Sequence, residues 1–98
     1  MPKVPRITRE TGENLAISAL AFLAEDPERL GAFLSQTGIG PEMIRKAAAD
    51  PSFLAGVLDH VVADEPLLLA VAEYAGVSPE TVERAHLALS GEPEREVP

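Results

Sequence analysis

His60 and His86 are the only histidines among 98 residues, and there is no cysteine. His60 stands beside Asp59 and one helical turn before Asp64. That spacing puts two metal-ligating side chains on one helix face, but a stable site needs at least a third, so no metal ligand is assigned. The absence of cysteine excludes a disulfide scaffold, a thiolate zinc site and a cysteine nucleophile. The acid pairs Glu25-Asp26 and Asp64-Glu65 have the side chains for general acid–base work. Each immediately precedes a proline, Pro27 or Pro66, where a carboxylate serves as a helix cap. No glycine-rich phosphate loop, Ser-His-Asp set or calcium-loop spacing occurs. No catalytic or cofactor-binding residue is therefore assigned and no cofactor is expected. A small carboxylate-dependent enzyme ranks last of three functional options.

Proline punctuates the elements that would carry these side chains. Asp26-Pro27, Asp50-Pro51 and Glu65-Pro66 each place an acid before a proline, and Gly40-Pro41 and Ser78-Pro79 repeat the device with other caps. Proline fits the first helical turn because its missing N–H would have had no partner there. The pattern predicts a first helix from near Thr8 or Thr11 to Ala24, then helices over 27–37, 41–49, 51–63, 66–75 and 79–89. In the first, Leu15, Ile17, Ala19, Leu20, Phe22 and Leu23 go most of the way round, which predicts a largely buried helix. The inward stripes expected in the next three are Leu30, Phe33 and Leu34; Met43, Ile44 and Ala47; and Phe53, Leu54, Val57, Leu58 and Val61. The last helix should turn Val82, Ala85 and Leu89 inward. No alternating strand pattern is present.

The chain also repeats itself. Ala24–Leu30 matches Ala63–Leu69 at an offset of 39, and Gly38–Ala47 matches Gly76–Ala85 at an offset of 38. Each copy, 24–48 and 61–89, is a helix, a glycine turn and a second helix. The expected fold is an all-α compact bundle of five or six short helices with two pseudo-repeated helix-turn-helix hairpins. It occupies 9–90, between an extended basic tail, 1–8, and an acidic tail, 91–98. At the offset of 39, Glu28 and Arg29 of the first copy become Leu67 and Leu68. Those two leucines are either core, covered by the supporting helices, or an exposed patch marking a partner surface.

Val71–Ala85 reads V-A-E-Y-A-G-V-S-P-E-T-V-E-R-A. It resembles the helix-turn-helix of lactose-repressor-type regulators, which implies a sharp turn at Gly76 with Val77 and Val82 filling the angle. Only Ser78, Thr81 and Arg84 match that family's usable contact positions. Pro79 and Glu80 stand where it reads bases, and Glu83 stands where a serine meets phosphate. The overall layout also resembles a family of small bacterial helical proteins classed as a domain of unknown function. Ala21–Leu30, the turn at Gly38–Pro41, Asp50–Leu54 with Val57-Leu58-Asp59, and Asp64–Leu69 carry that similarity over roughly 14–89. It implies a free-standing, cytoplasmic, all-helical protein and supplies no site residues.

Charge and hydropathy bound the remaining options. Formal charge is -8, with thirteen acids against four bases in residues 10–90. Such a body repels phosphate backbones and disfavours nucleic acid as a partner. No apolar run is long enough for a bilayer. Leu15–Ala24 follows basic residues as a signal peptide would, but Glu10, Glu13, Ser18 and Glu25-Asp26-Pro27 identify a core helix, so the expected location is cytoplasmic. The leading expectation is a non-enzymatic helical module, monomer or weak homodimer, that binds an unidentified protein. A helix-turn-helix nucleic-acid regulator is the alternative. Arg45-Lys46, the one basic spot on the acidic body, reads as a solvated helix end.

Overall fold

In the computed structural model, which describes residues 7–90, side-chain caps form at every expected helix start but the one at Gly40. Helix α1 (Arg9–Ala24) is capped by Thr8, whose Oγ1 accepts from the Thr11 N–H at 3.0 Å. Asp26 caps α2 (Pro27–Thr37) through the Glu28 N–H at 3.0 Å. A 3-10 turn (Pro41–Met43) leads into the one-turn α3 (Ile44–Ala47). Asp50 caps α4 (Pro51–Val62), Asp64 caps α5 (Glu65–Ala75), and Ser78 caps α6 (Pro79–Leu89). The described residues contain no strand.

The cap of α5 corrects the repeat register. Asp64, not Glu65, is the N-cap, so Pro66 is the second helical residue where Pro27 is the first. Asp26 to Asp64 and Gly38 to Gly76 are then both 38 residues apart, and α2 and α5 are both 11 residues long. Burial follows the same spacing upstream: Leu15 and Phe53, Ala16 and Leu54, Ala19 and Val57, Leu20 and Leu58, Leu23 and Val61 are all buried. The one-residue slip in the sequence match therefore disappears, and Arg29 aligns with Leu67 and Leu30 with Leu68.

Helices α1, α4, α5 and α6 pack on one another around the core. Its fully buried side chains include Leu23, Val57, Leu58, Val61, Val71 and Val82, and no polar or charged residue among those described is buried with them. Gly12 does more than weaken the first turn of α1. A Cβ there would lie 3.2 Å from both the Ala85 carbonyl oxygen and Leu89 Cγ, so its absence lets α6 approach α1 closely.

Gly38 and Gly76 end α2 and α5 with φ of 76° and 74°, in the left-handed region where a Cβ meets its own backbone. Neither site has an atom within 4 Å of an added Cβ, so a substitution there changes the backbone energy alone. Gly76→Ala is expected to destabilise the protein by about 1–2 kcal/mol. Gly56→Ala, mid-helix in α4 with equally open space, is expected to stabilise it by about 0.5–1 kcal/mol. Thermal unfolding of the two variants should move in opposite directions.

Three sequence expectations change. The helix expected over 41–49 is a 3-10 turn followed by a single α-turn, because Gly40 offers no side-chain cap. At its other end Asp50 must stay extended, at φ -98° and ψ 118°, to cap α4 and precede Pro51. The stripe Met43, Ile44, Ala47 accordingly does not turn fully inward: Met43 is 45% exposed and the other two are half-buried. The first helix is not buried all round either, since Ile17 is exposed and Phe22 half-buried on its outer side.

Candidate functional site: the open face of the first hairpin

The two hairpins start from the same design and end differently packed. The second, α5 and α6, buries Leu67, Leu68, Val71, Ala72, Val82, Ala85 and Leu89. The first, α2 with the 3-10 turn and α3, buries Phe33 alone. Positions 38 residues apart show the contrast directly. Leu68, Val82 and Ala85 are buried, while Leu30, Ile44 and Ala47 are half-buried. The 3-10 turn and α3 pack mainly on each other, whereas α6 lies against both α1 and α4.

What holds the first hairpin is largely aromatic. Phe33 sits edge-on to Phe53 at 5.7 Å and to His60 at 5.2 Å between centroids. His60 Nδ1 lies 3.1 Å from Gln36 Oε1, and an amide oxygen accepts, so Nδ1–H is the donor in this pair. On the opposite side Phe22 packs against Tyr74 at 5.2 Å, and the Arg29 guanidinium lies 4.9 Å over the Phe22 ring. These two cross-unit contacts are reciprocal: adding 38 to Phe22 gives His60, and subtracting 38 from Tyr74 gives Gln36. Residue i of one unit meets residue j of the other in both directions, as across the two-fold axis of a dimer.

Around the loosely seated turn, Met43 is exposed and Ile39, Ile44 and Leu34 are half-buried, next to the exposed cations Arg45 and Lys46. At the matching positions of the second hairpin stand Glu83 and Arg84. The first hairpin therefore presents apolar and basic surface on an otherwise acidic chain. Sequence reasoning noted Arg45-Lys46 without the apolar neighbours, because the expected full helix would have turned Met43 inward.

Leu67 and Leu68, the pair read as either core or partner surface, are core: they are 8% and 6% exposed. The helix-turn-helix residues are engaged locally. Ser78 Oγ accepts the Thr81 N–H at 3.2 Å and shares a 2.9 Å hydrogen bond with Thr81 Oγ1, so both hydroxyls serve the cap. Val77 N–H donates to the Ala72 carbonyl at 2.9 Å, closing the turn. Arg84 is exposed, beside Glu80 and Glu83 on the outer side of α6. His86 Nε2 lies 2.9 Å from Asp59 Oδ1 and ties α6 to α4. Among the described residues no three metal-ligating side chains come together. Among the described residues no helix is long and apolar enough to cross a membrane.

A family model described as a protein of unknown function, DUF3572, matches residues 9–92. The chain belongs to that family. The match spans every helix among the described residues of this DUF3572 protein, from the first turn of α1 past the end of α6. No curated protein and no solved structure matches the chain.

Glu25 perturbs the titration of Tyr74 in this DUF3572 chain. The Tyr74 hydroxyl donates to Glu25 Oε2 at 3.3 Å. The carboxylate's charge, then desolvation, then that hydrogen bond raise the Tyr74 pKa above the ordinary tyrosine value of 10.0. A raised folded-state pKa means stability is intact below the unfolded value and declines as pH climbs through the folded one. Tyr74 is the only tyrosine and there is no tryptophan, so its absorbance titration is unambiguous. Glu25→Gln should move the midpoint down towards the ordinary value.

Proposed function

We propose that this DUF3572 chain is a non-enzymatic helical protein-interaction module that engages its partner through the first hairpin. The observation that supports this most is the burial contrast between the paired hairpins. Leu68, Val82 and Ala85, covered in the second, have half-covered counterparts in the first, Leu30, Ile44 and Ala47, and Met43 is exposed beside them. An exposed, flexible methionine suits adaptable apolar contact. Arg45 and Lys46 at its side would steer an acidic-rimmed partner by charge complementarity.

The nucleic-acid alternative relied on Ser78, Thr81 and Arg84. Two of these are engaged in a helix cap, and two glutamates beside the third oppose phosphate. The test compares tagged full-length protein with Met43→Glu and with Leu87→Glu, a control on α6 where Leu87 is 59% exposed. A partner recovered by the parent and by Leu87→Glu, and lost with Met43→Glu at unchanged thermal stability, is the expected result. Loss with Leu87→Glu instead would move the surface to α6.

A further inference from the structure

A half-open pocket of about 260 Å³ lies between the start of α2, the end of α4 and the start of α5. Leu23, Ala32 and Leu67 give it an apolar lining, and Arg29, His60 and Asp64 give it polar edges. We propose that it binds a small zwitterion with an apolar side chain, of the α-amino-acid class. This goes beyond the docking role of the first hairpin and does not depend on it.

The pocket belongs to the asymmetry between the two units. On one side of the pseudo-axis Phe22 and Tyr74 stack and fill the space between hairpins. At the matching positions stand the smaller, polar His60 and Gln36. Arg29 and Leu67, which are counterparts at the 38-residue spacing, face the same cavity. The charges inside it are of opposite sign and are not neutralised by each other. Arg29 pairs with Asp26, at 3.9 Å, and not with Asp64. Asp64 Oδ1 accepts the Leu67 N–H at 3.3 Å, which leaves its second oxygen as an acceptor.

A guanidinium at one edge and a carboxylate at another match a carboxylate and an ammonium on one molecule. A simple anion would face Asp64, and a simple cation would face Arg29. Ala32, Pro66 and the edge of Leu67 would take an aliphatic side chain, and the volume falls below that of drug-sized sites, which suits a small metabolite.

The test is an amide-shift NMR titration of the full chain with L-leucine, N-acetyl-L-leucine and L-leucinamide. Saturable shifts centred on Arg29, Ala32, Asp64 and Leu67 are expected with L-leucine. Blocking either charge should weaken binding by about tenfold or more, since each removes a charge-assisted hydrogen bond. Arg29→Gln and Asp64→Ser should weaken it similarly. Serine keeps the cap of α5, so unchanged thermal stability separates loss of the ligand from loss of the fold. No saturable shift, equal shifts with all three compounds, or full binding to both variants would overturn the proposal.

Discussion

Replacing Leu67 by Glu and Leu68 by Arg is expected to abolish cooperative unfolding. Both leucines are more than nine-tenths buried, early in α5 where it packs on α1 and α4. Losing their burial removes about 1.5–3 kcal/mol each. Placing charges there adds an effective desolvation penalty of several kcal/mol per ion, with no buried polar residue nearby to offset it. A domain of this size is stable by about 5–15 kcal/mol, so the sum reaches or exceeds what holds it folded. The measurement is thermal unfolding by circular dichroism. A sharp transition near that of the parent would return the pair to the surface.

The second large effect is local. Phe33→Ala is expected to weaken the seat of the first hairpin by about 3–5 kcal/mol, the usual range for removing a buried phenylalanine. Phe33 is 1% exposed and is the only buried residue of α2, the 3-10 turn and α3, so little else there resists opening. Trypsin reads the result, because Arg45 and Lys46 lie in the first hairpin and Arg84 in the second. Cleavage after Arg45 or Lys46 should accelerate by about 10²–10⁴-fold, following the population of the open form. Cleavage after Arg84 should change far less. Equal acceleration at all three sites would mean that the two hairpins open together.

Much of this fold is legible in the sequence, for identifiable reasons. Thr8, Asp26, Asp50, Asp64 and Ser78 cap helices because their side-chain oxygens reach the backbone N–H groups of the first turn, a local interaction independent of the rest of the chain. Gly38 and Gly76 end helices for a similarly local reason. The stripes of α4 and α6 are correct because each of those helices is covered along one face. What the sequence does not show is tertiary. The exposure of Met43 and Ile17 depends on which neighbours arrive, and periodicity cannot tell a covered stripe from an uncovered one.

The sequence match sets the two hairpins one residue out of register for a physical reason as well. Matching Pro27 with Pro66 aligns identical letters, whereas the cap oxygen, not the proline, marks where a helix begins. With Asp26 set against Asp64, the contrast at Leu67 and Leu68 becomes Arg29 and Leu30 against two buried leucines. The pocket edge occupied by Arg29 is visible only in that register, and Gln36 and His60 then stand as counterparts of Tyr74 and Phe22.

The central claim is that two units of one design have been packed unequally, leaving the first hairpin free to engage something else. Native-state hydrogen exchange of the unmodified protein compares both hairpins in one sample. Amides of α2 and α3 should exchange through local openings at least ~2 kcal/mol below the global unfolding free energy, while those around Leu68, Val71, Val82 and Ala85 exchange only by global unfolding. Equal protection in both hairpins would contradict the claim.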